Sequence, residues 1–217
     1  MQVFKAMTEL IEHLNPMFSE HLNKFNEEYL WIALSKCESD FAYELLLENP
    51  EKIDWSAMLH RNGSEWAGRL FLENHKKIDW NILSRNCSEW AGRLLLENLE
   101  NIDWPNLSAN PSEWAGRLLL ENLENIDWRR LSVNPSEWAE KLLEQNPEYI
   151  DWSHLSINPS EWAINLLEQN LEKIDWWEAS CNRSFHIINL LVTNYSKTHW
   201  YGLSQNPVIF HQDTCLW

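Results

Sequence analysis

Tryptophan recurs along this 217-residue chain at a nearly fixed interval. The tripeptide Ile-Asp-Trp repeats with a step of 25 residues once and of 24 residues thereafter. Its tryptophans are Trp55, Trp80, Trp104, Trp128, Trp152 and Trp176, and Trp31 and Trp200 extend the register without the Ile-Asp prefix. A second column holds Trp66, Trp90, Trp114, Trp138 and Trp162, so two columns contain all but two of the 15 tryptophans. Such self-similarity is typical of tandem-repeat proteins, in which each unit buries its apolar face against its neighbours.

One repeat, residues 103–126, predicts a short helix followed by a longer one. Asp103 is expected to cap the N-terminus of the short helix, and Pro105 suits its first turn. A second helix start is Asn110-Pro111-Ser112-Glu113, in which we expect Asn110 to be the N-cap. Asn122 is expected to end the long helix, because asparagine tolerates the left-handed conformation found there.

The long helix of this repeat has one apolar face. At 100° per residue, Trp114, Leu118 and Leu119 lie within one arc, whereas Arg117 and Leu120 point away from it. A unit this small cannot bury that face alone, but stacked units can. The sequence therefore predicts an all-α fold, an α-solenoid of about eight 24-residue helix-turn-helix repeats.

The ends of the chain depart from the repeat. We predict an N-terminal helical cap at residues 1–30, regular 24-residue repeats at 31–180, and degenerate repeats with a C-terminal cap at 181–217. Solenoids need atypical ends, because the outermost repeats would otherwise expose apolar core.

Charge and cysteine usage limit the function classes. The formal net charge is −16, with 33 Asp and Glu against 17 Lys and Arg. This balance argues against a surface that binds nucleic acid or an anionic membrane, since both require clusters of Lys and Arg. No apolar run is long enough for a transmembrane helix, and the N-terminus has no secretory pattern. The four cysteines lie far apart, which favours reduced thiols and a cytoplasmic location.

The column pattern resembles short tandem repeats, roughly N-P-x-x-x-x-x-L-L-x-x-N-x-x-x-I-D-W-x-x-L-S, of proteins from large DNA viruses that infect protists and algae. In this chain the pattern is carried by Asn134-Pro135, Leu142-Leu143, Asn146, Ile150-Asp151-Trp152 and Leu155-Ser156. The resemblance covers about residues 31–210, with Gly63 and Cys87 standing where proline usually follows asparagine. It implies a helical solenoid that acts in the host cytoplasm or in the virion, and it implies no particular activity.

Three residue types could carry chemistry, and the two that recur in columns each have a structural alternative. The aspartates before the first tryptophan column could chelate cations or cap helices. The tryptophan columns could stack bases or sugars, or pack between repeats. The eight histidines show no metal-binding spacing. Because catalytic residues usually break local sequence rules and this chain is regular, we predict a non-enzymatic protein with no catalytic, metal or cofactor site.

Two surfaces are candidates for binding a partner. The first is an outer stripe on the long helix, in which an apolar residue follows a small or aromatic residue by four positions. Its members are Tyr43 and Leu47, Gly68 and Leu72, Gly92 and Leu96, and Gly116 and Leu120. A mid-helix glycine costs about 1 kcal/mol relative to alanine, so its recurrence needs a reason. The stripe could bind a partner, be buried by the curvature of the solenoid, or be a neutral result of duplication.

The second surface is the variable side of the short helix, here called the short-helix ridge. Its candidate residues are Arg61, Arg85, Arg129, Arg130 and His154. A constant scaffold with variable exposed positions is typical of a binding face, and equally of unconstrained surface.

These observations predict a scaffold that binds a protein partner through the outer stripe or the short-helix ridge. Two alternatives stay open. An acidic rod could mimic nucleic acid and occupy a basic protein, because net charge sets long-range attraction. The chain could also self-assemble, as a homo-oligomer or as a structural component of a virion.

Overall fold

The computed structural model describes residues 27–206. Regular structure in this part of the chain is entirely helical, with 15 α-helices, five short 3-10 helices and no strand. The chain forms two compact units, Met1–Glu97 and Asn98–Trp217. The predicted all-α helical-repeat solenoid is confirmed in the described part of each unit. Most of the predicted N-terminal cap, residues 1–26, and the last part of the predicted C-terminal cap, residues 207–217, lie outside the described residues.

Unit 1 alternates helices of the two columns. They are α1 (Glu27–Lys36), α2 (Asp40–Glu48), α3 (Trp55–Arg61), α4 (Glu65–Glu73), α5 (Trp80–Leu83) and α6 (Glu89–Leu96), with 3-10 turns at Pro50–Lys52 and His75–Lys77. Helix α1 packs on α3 and α3 on α5, while α4 packs on α6. Like helices of successive repeats therefore stack on each other, as in an α-solenoid. The one-residue insertion of the 25-residue step is absorbed in α3, which has seven residues.

Unit 2 continues the same alternation. Its helices are α7 (Trp104–Ser108), α8 (Glu113–Leu120), α9 (Trp128–Val133), α10 (Glu137–Gln145), α11 (Trp152–Ser156), α12 (Glu161–Glu168), α13 (Trp176–Cys181), α14 (Ile187–Thr193) and α15 (Trp200–Ser204), with 3-10 turns at Leu99–Asn101, Leu123–Asn125 and Pro147–Tyr149. The short helices pack in series from α7 to α15, and the long helix α8 packs on α10.

Two rows of leucine form the core of unit 2. The short helices contribute Leu107, Leu131 and Leu155, and the long helices contribute Leu119, Leu143 and Leu167. All six are fully excluded from solvent. Burial of one such side chain contributes about 1.5–3 kcal/mol, and no single repeat could enclose these residues alone.

The predicted aspartate caps are confirmed. Each short helix from α3 to α13 begins directly after an aspartate whose carboxylate accepts a backbone N–H two or three residues later. These aspartates are Asp54, Asp79, Asp103, Asp127, Asp151 and Asp175. The carboxylate satisfies a backbone donor that has no partner within the helix, and its negative charge suits the helix N-terminus.

Replacing Asp127 with alanine is therefore expected to lower the free energy of unfolding by about 1 kcal/mol, whereas Asp127→Asn should retain most of the cap. The carboxylate of Asp127 accepts the backbone N–H of Arg130 at 3.0 Å, and alanine has no acceptor. Urea unfolding followed by circular dichroism measures both variants. Equal losses for the two substitutions would contradict a role in capping.

The predicted cap of the long helix is wrong by two residues. Helix α8 begins after Ser112, not after Asn110, and the same shift of two residues occurs in α4, α6, α10 and α12. In α4 and α12 the serine hydroxyls of Ser64 and Ser160 accept the N–H groups of the third residue on. The asparagine two residues earlier is buried and serves another purpose.

This asparagine connects successive repeats within each unit. Asn158 is fully buried, and its amide nitrogen donates to the carbonyl oxygens of Ser132 at 2.9 Å and Asn134 at 3.1 Å. Its amide oxygen accepts the N–H of Ser160 at 2.9 Å. Equivalent bonds to the preceding repeat are made by Asn62, Asn134 and Asn182. We call this row the asparagine ladder.

A buried serine makes a second connection between repeats. The hydroxyl of Ser132 donates to the carbonyl of Trp128 at 2.8 Å and accepts the N–H of Asp151 at 3.0 Å. It thus joins the end of one short helix to the cap of the next. The same bonds recur at Ser35, Ser156 and Ser180.

The left-handed ending predicted for the long helix is also wrong. Asn122 has φ −138° and ψ 52°, and no described residue has positive φ. Its side-chain amide instead donates to the carbonyl of Leu118 at 2.8 Å. The amide satisfies one of the last helical carbonyls directly, so the backbone has no need of the left-handed turn.

Candidate binding surfaces

The glycines of the outer stripe are covered rather than exposed, which is one of the alternatives that the sequence leaves open. Gly68, Gly92 and Gly116 are all buried. A Cβ atom added to Gly68 would lie 2.9 Å from Cβ of Trp90, and one added to Gly116 would lie 2.6 Å from Cδ2 of Trp138. Each of these two glycines therefore makes room for the tryptophan of the following repeat, which explains a residue that otherwise weakens a helix.

The other half of the outer stripe is exposed, as the helical wheel indicated. Leu47, Leu72, Leu96 and Leu120 are 48%, 50%, 53% and 53% exposed. We call Leu47, Leu72 and Leu96, which lie on successive long helices of unit 1, the leucine row. Tyr43, the first member of the stripe, is half-buried, and its ring stacks on that of Trp66 at 5.1 Å.

A shallow cavity of about 120 Å³ lies beside the leucine row, between α4 and α6. Leu72 and Trp90 line it, and charged side chains surround it. Among them, Arg93 forms an ion pair of 2.6 Å with Glu65 of the preceding repeat. Arg93 stands four residues after Glu89, a spacing that favours an ion pair on one helix, but its side chain reaches Glu65 on the neighbouring helix instead.

The short-helix ridge carries exposed cations. Arg61, Arg85, Arg129 and Arg130 are exposed, and His154 is half-buried. Nε of Arg129 donates to Nε2 of His154 at 2.8 Å, while Nδ1 of His154 lies 3.0 Å from the carboxylate of Asp151. The ring of His154 therefore bridges the guanidinium of Arg129 and the carboxylate of Asp151.

The carboxylate in this cluster is electrostatically stabilised. Burial raises the pKa of Asp151, but hydrogen bonds from the backbone and ring of His154, together with the charge of Arg129, outweigh it and lower the pKa below its usual value. Asp151 therefore stays ionised as the cap of α11.

The Ile-Asp-Trp tryptophans are half-buried rather than open platforms. Nζ of Lys173 lies 4.3 Å from the ring centroid of Trp152, and Lys197 similarly faces Trp176 at 5.3 Å. The ring of Trp128 stacks on Tyr149 at 4.6 Å. Because cations and an aromatic ring of the chain itself already face these rings, the geometry favours packing between repeats over stacking of bases or sugars.

One surface of unit 2 was missed in the sequence. A groove of about 490 Å³ lies between α12 and α14, lined by Ile164, Ile188 and Val192 and bordered by Glu161 and Glu168. The signal that could have found it is the break in the second tryptophan column, where His186 follows Trp162. The prediction of degenerate repeats from residue 181 accounts for this break without indicating a groove.

Neither a metal centre nor a membrane segment is found in residues 27–206. No group of three or more His, Cys, Asp or Glu side chains in this range could hold a metal ion. None of the helices formed by these residues has the length and apolar character needed to cross a bilayer.

Comparisons of the chain with protein-family models, with curated proteins and with solved structures found no match.

Proposed function

We propose that this protein is a non-enzymatic helical-repeat scaffold that binds a protein partner through the leucine row. The observation that supports the proposal is the regular exposure of Leu47, Leu72 and Leu96 on helices whose other outward residues are mostly charged. A row of exposed leucines surrounded by polar residues is typical of an interaction site.

The leucine row offers binding energy together with a means of orienting a partner. Complete burial of a leucine side chain contributes about 1.5–3 kcal/mol relative to exposure. The exposed guanidinium of Arg69 and the ion pair of Glu65 with Arg93 lie beside Leu72 and would fix the position of a docked chain through polar contacts. Stacking of successive repeats holds the leucines in place before binding, which limits the entropy lost on association.

The test is affinity capture from an extract of the source cell, followed by mass spectrometry, with wild type and a Leu72→Glu/Leu96→Glu variant as baits. We expect a protein that the wild type retains and the variant loses, since carboxylates at the centre of an apolar contact lack partners. Lys76→Glu is the matched control, because it makes the same charge change of −2 on an exposed residue outside the row. Identical captures by all three baits would contradict the proposal.

The acidic composition supports a second candidate function, in which the chain occupies a basic protein in place of nucleic acid. A formal charge of −16 on 217 residues favours long-range attraction to a cationic surface. Binding would then weaken steeply with salt, because exposed charges are screened beyond about 10 Å at 0.1 M ionic strength. Salt-tolerant binding that is lost in the Leu72→Glu/Leu96→Glu variant would instead favour the leucine row.

Self-assembly is the third candidate, and the leucine row could serve it equally. Sedimentation of wild type and of the Leu72→Glu/Leu96→Glu variant over a range of concentrations separates it from partner binding. We place the protein in a reducing compartment such as the cytoplasm, since its four cysteines lie far apart in the sequence and lack the dense spacing of a disulfide framework. The resemblance to viral repeats would make that compartment the cytoplasm of an infected host, or the virion.

A further inference from the structure

Tryptophans of the second column fill the surface between successive long helices. Trp90 lies against Gly68 in unit 1, and Trp138 lies against Gly116 in unit 2. In the next repeat of unit 2, Nε1 of Trp162 donates to the carboxylate of Glu144 at 3.0 Å. An indole ring therefore covers the outer side of the preceding long helix in each of these repeats.

The series of tryptophans stops after Trp162. The next residue of the column, His186, is exposed and leaves the groove between α12 and α14 open. This groove has a volume of about 490 Å³, against about 120 Å³ for the corresponding cavity between α4 and α6, where Trp90 is present. Between α12 and α14 the fold thus leaves space at the position that an indole ring occupies elsewhere.

The open groove retains the groups that hold an indole ring. Ile164, which is 2% exposed, and Ile188 supply apolar walls. Glu168 stands 24 residues after Glu144, so it occupies the position of the carboxylate that accepts the N–H of Trp162. The groove therefore combines an apolar surface with an acceptor for an indole N–H, which is what a buried tryptophan requires.

We propose that the groove between α12 and α14 binds a tryptophan side chain carried on a basic segment of a partner protein. The bordering carboxylates of Glu161 and Glu168, on a chain of net charge −16, favour lysine or arginine beside the inserted tryptophan. The same acidity disfavours a second copy of this chain. The proposal rests on the proposed function as a protein-binding scaffold, but it places a site on a different surface from the leucine row.

The probe is the capped peptide Lys-Lys-Trp-Lys-Lys, titrated into the full chain with labelled isoleucine methyl groups. We expect the methyl resonances of Ile164 and Ile188 to shift in a saturable way. The capped peptide Lys-Lys-Ala-Lys-Lys is the control for charge alone, and it should shift neither resonance.

Three substitutions test the geometry. His186→Trp continues the tryptophan column, so it should fill the groove, abolish peptide binding and raise the unfolding midpoint. Glu168→Gln should weaken binding about tenfold, because a charge-assisted hydrogen bond becomes a neutral one. Leu72→Glu in unit 1 should leave peptide affinity unchanged. His186→Asn is the control that alters the same residue and keeps the groove open.

Several outcomes would overturn the proposal. The first is an equal shift of the Ile164 and Ile188 methyl resonances with the two peptides, and the second is no shift with either peptide. The third is an unchanged affinity of the His186→Trp variant for the tryptophan peptide. Shifts of Ile164 and Ile188 in the peptide-free Trp217→Ala variant would show that the chain's own tryptophan occupies the groove. Methyl resonances of Ile164 and Ile188 that shift with protein concentration in the absence of peptide would show that a second copy of this chain occupies the groove. The peptide titration is independent of capture by the leucine row, so either proposal can fail while the other stands.

Discussion

Replacing Asn158 with alanine is expected to lower the free energy of unfolding by about 3–5 kcal/mol, the largest effect of any single substitution considered for this chain. The substitution removes two donated bonds, to the carbonyls of Ser132 and Asn134, and one bond accepted from the N–H of Ser160. Asn158 is fully buried, so water cannot replace the missing amide without opening the contact between repeats. Urea unfolding followed by circular dichroism measures the loss.

Two further variants give this expectation its control and its test. Asn165 lies exposed on α12, and Asn165→Ala should change stability by no more than about 0.5 kcal/mol. Asn158→Asp keeps an acceptor for Ser160 but cannot donate to the two carbonyls, so it should be at least as harmful as alanine. A mild effect of Asn158→Asp would show that packing, rather than hydrogen bonding, holds this position.

Gly116→Ala is expected to destabilise the protein by about 2 kcal/mol, although alanine is the better helix former by about 1 kcal/mol. The new methyl group would lie 2.6 Å from Cδ2 and 2.7 Å from Cγ of Trp138. The indole must then move, and its hydrogen bond to the carbonyl of Pro111, at 3.2 Å, is strained or lost. The unfolding midpoint in urea reports the net effect.

A double-mutant cycle separates the two contributions. In a Trp138→Ala background the ring is absent, so Gly116→Ala should become stabilising by about 1 kcal/mol through helix propensity alone. The expected reversal of sign is specific to the contact between the two columns. Destabilisation of similar size in both backgrounds would mean that the glycine is needed for some other reason.

The features that the sequence predicted correctly are those that operate within one repeat. Asp103 before Trp104 identified a capped short helix, and the 3.6-residue period placed Leu119 in the core and Leu120 outside it. These assignments need only local chemistry and the periodicity of one helix. They also suffice for the solenoid, because a repeated amphipathic unit has nowhere to bury its face except against its copies.

Two of the differences from the structure, in the asparagine column and at Gly116, concern residues whose partners lie in a neighbouring repeat. Asn110 precedes proline and stands three residues before a glutamate, which matches a helix start, so its pattern within the repeat points to capping. The ladder function is set by carbonyls about 24–26 residues earlier, as Asn134 shows. The helical wheel places Gly116 on the outer face of its own helix. The wheel contains no information about Trp138, which lies in the following repeat. Comparing each column of residues with the columns of the following repeat would have indicated both the asparagine ladder and the contact of Gly116 with Trp138.

The candidate sites divide in the same way. Exposure of the leucine row follows from the helical wheel of a single helix, so the sequence alone predicted it. The groove between α12 and α14 depends on the absence of an indole ring supplied by the next repeat, so only the packed structure gives its volume. The short-helix ridge was predicted as a set of exposed residues, but the bonds that join Arg129, His154 and Asp151 required coordinates.

The asparagine ladder also bears on how such a chain can change its length during evolution. Asn158 and Asn182 each reach back by 24 and 26 residues to their acceptors. Unequal recombination that adds or deletes one whole 24-residue segment leaves donors and acceptors in register, whatever the crossover point. A crossover of another length removes the register unless a helix absorbs the difference, as α3 does with its single extra residue. The hydrogen bonds between repeats therefore favour gene duplications and deletions that comprise whole 24-residue repeats.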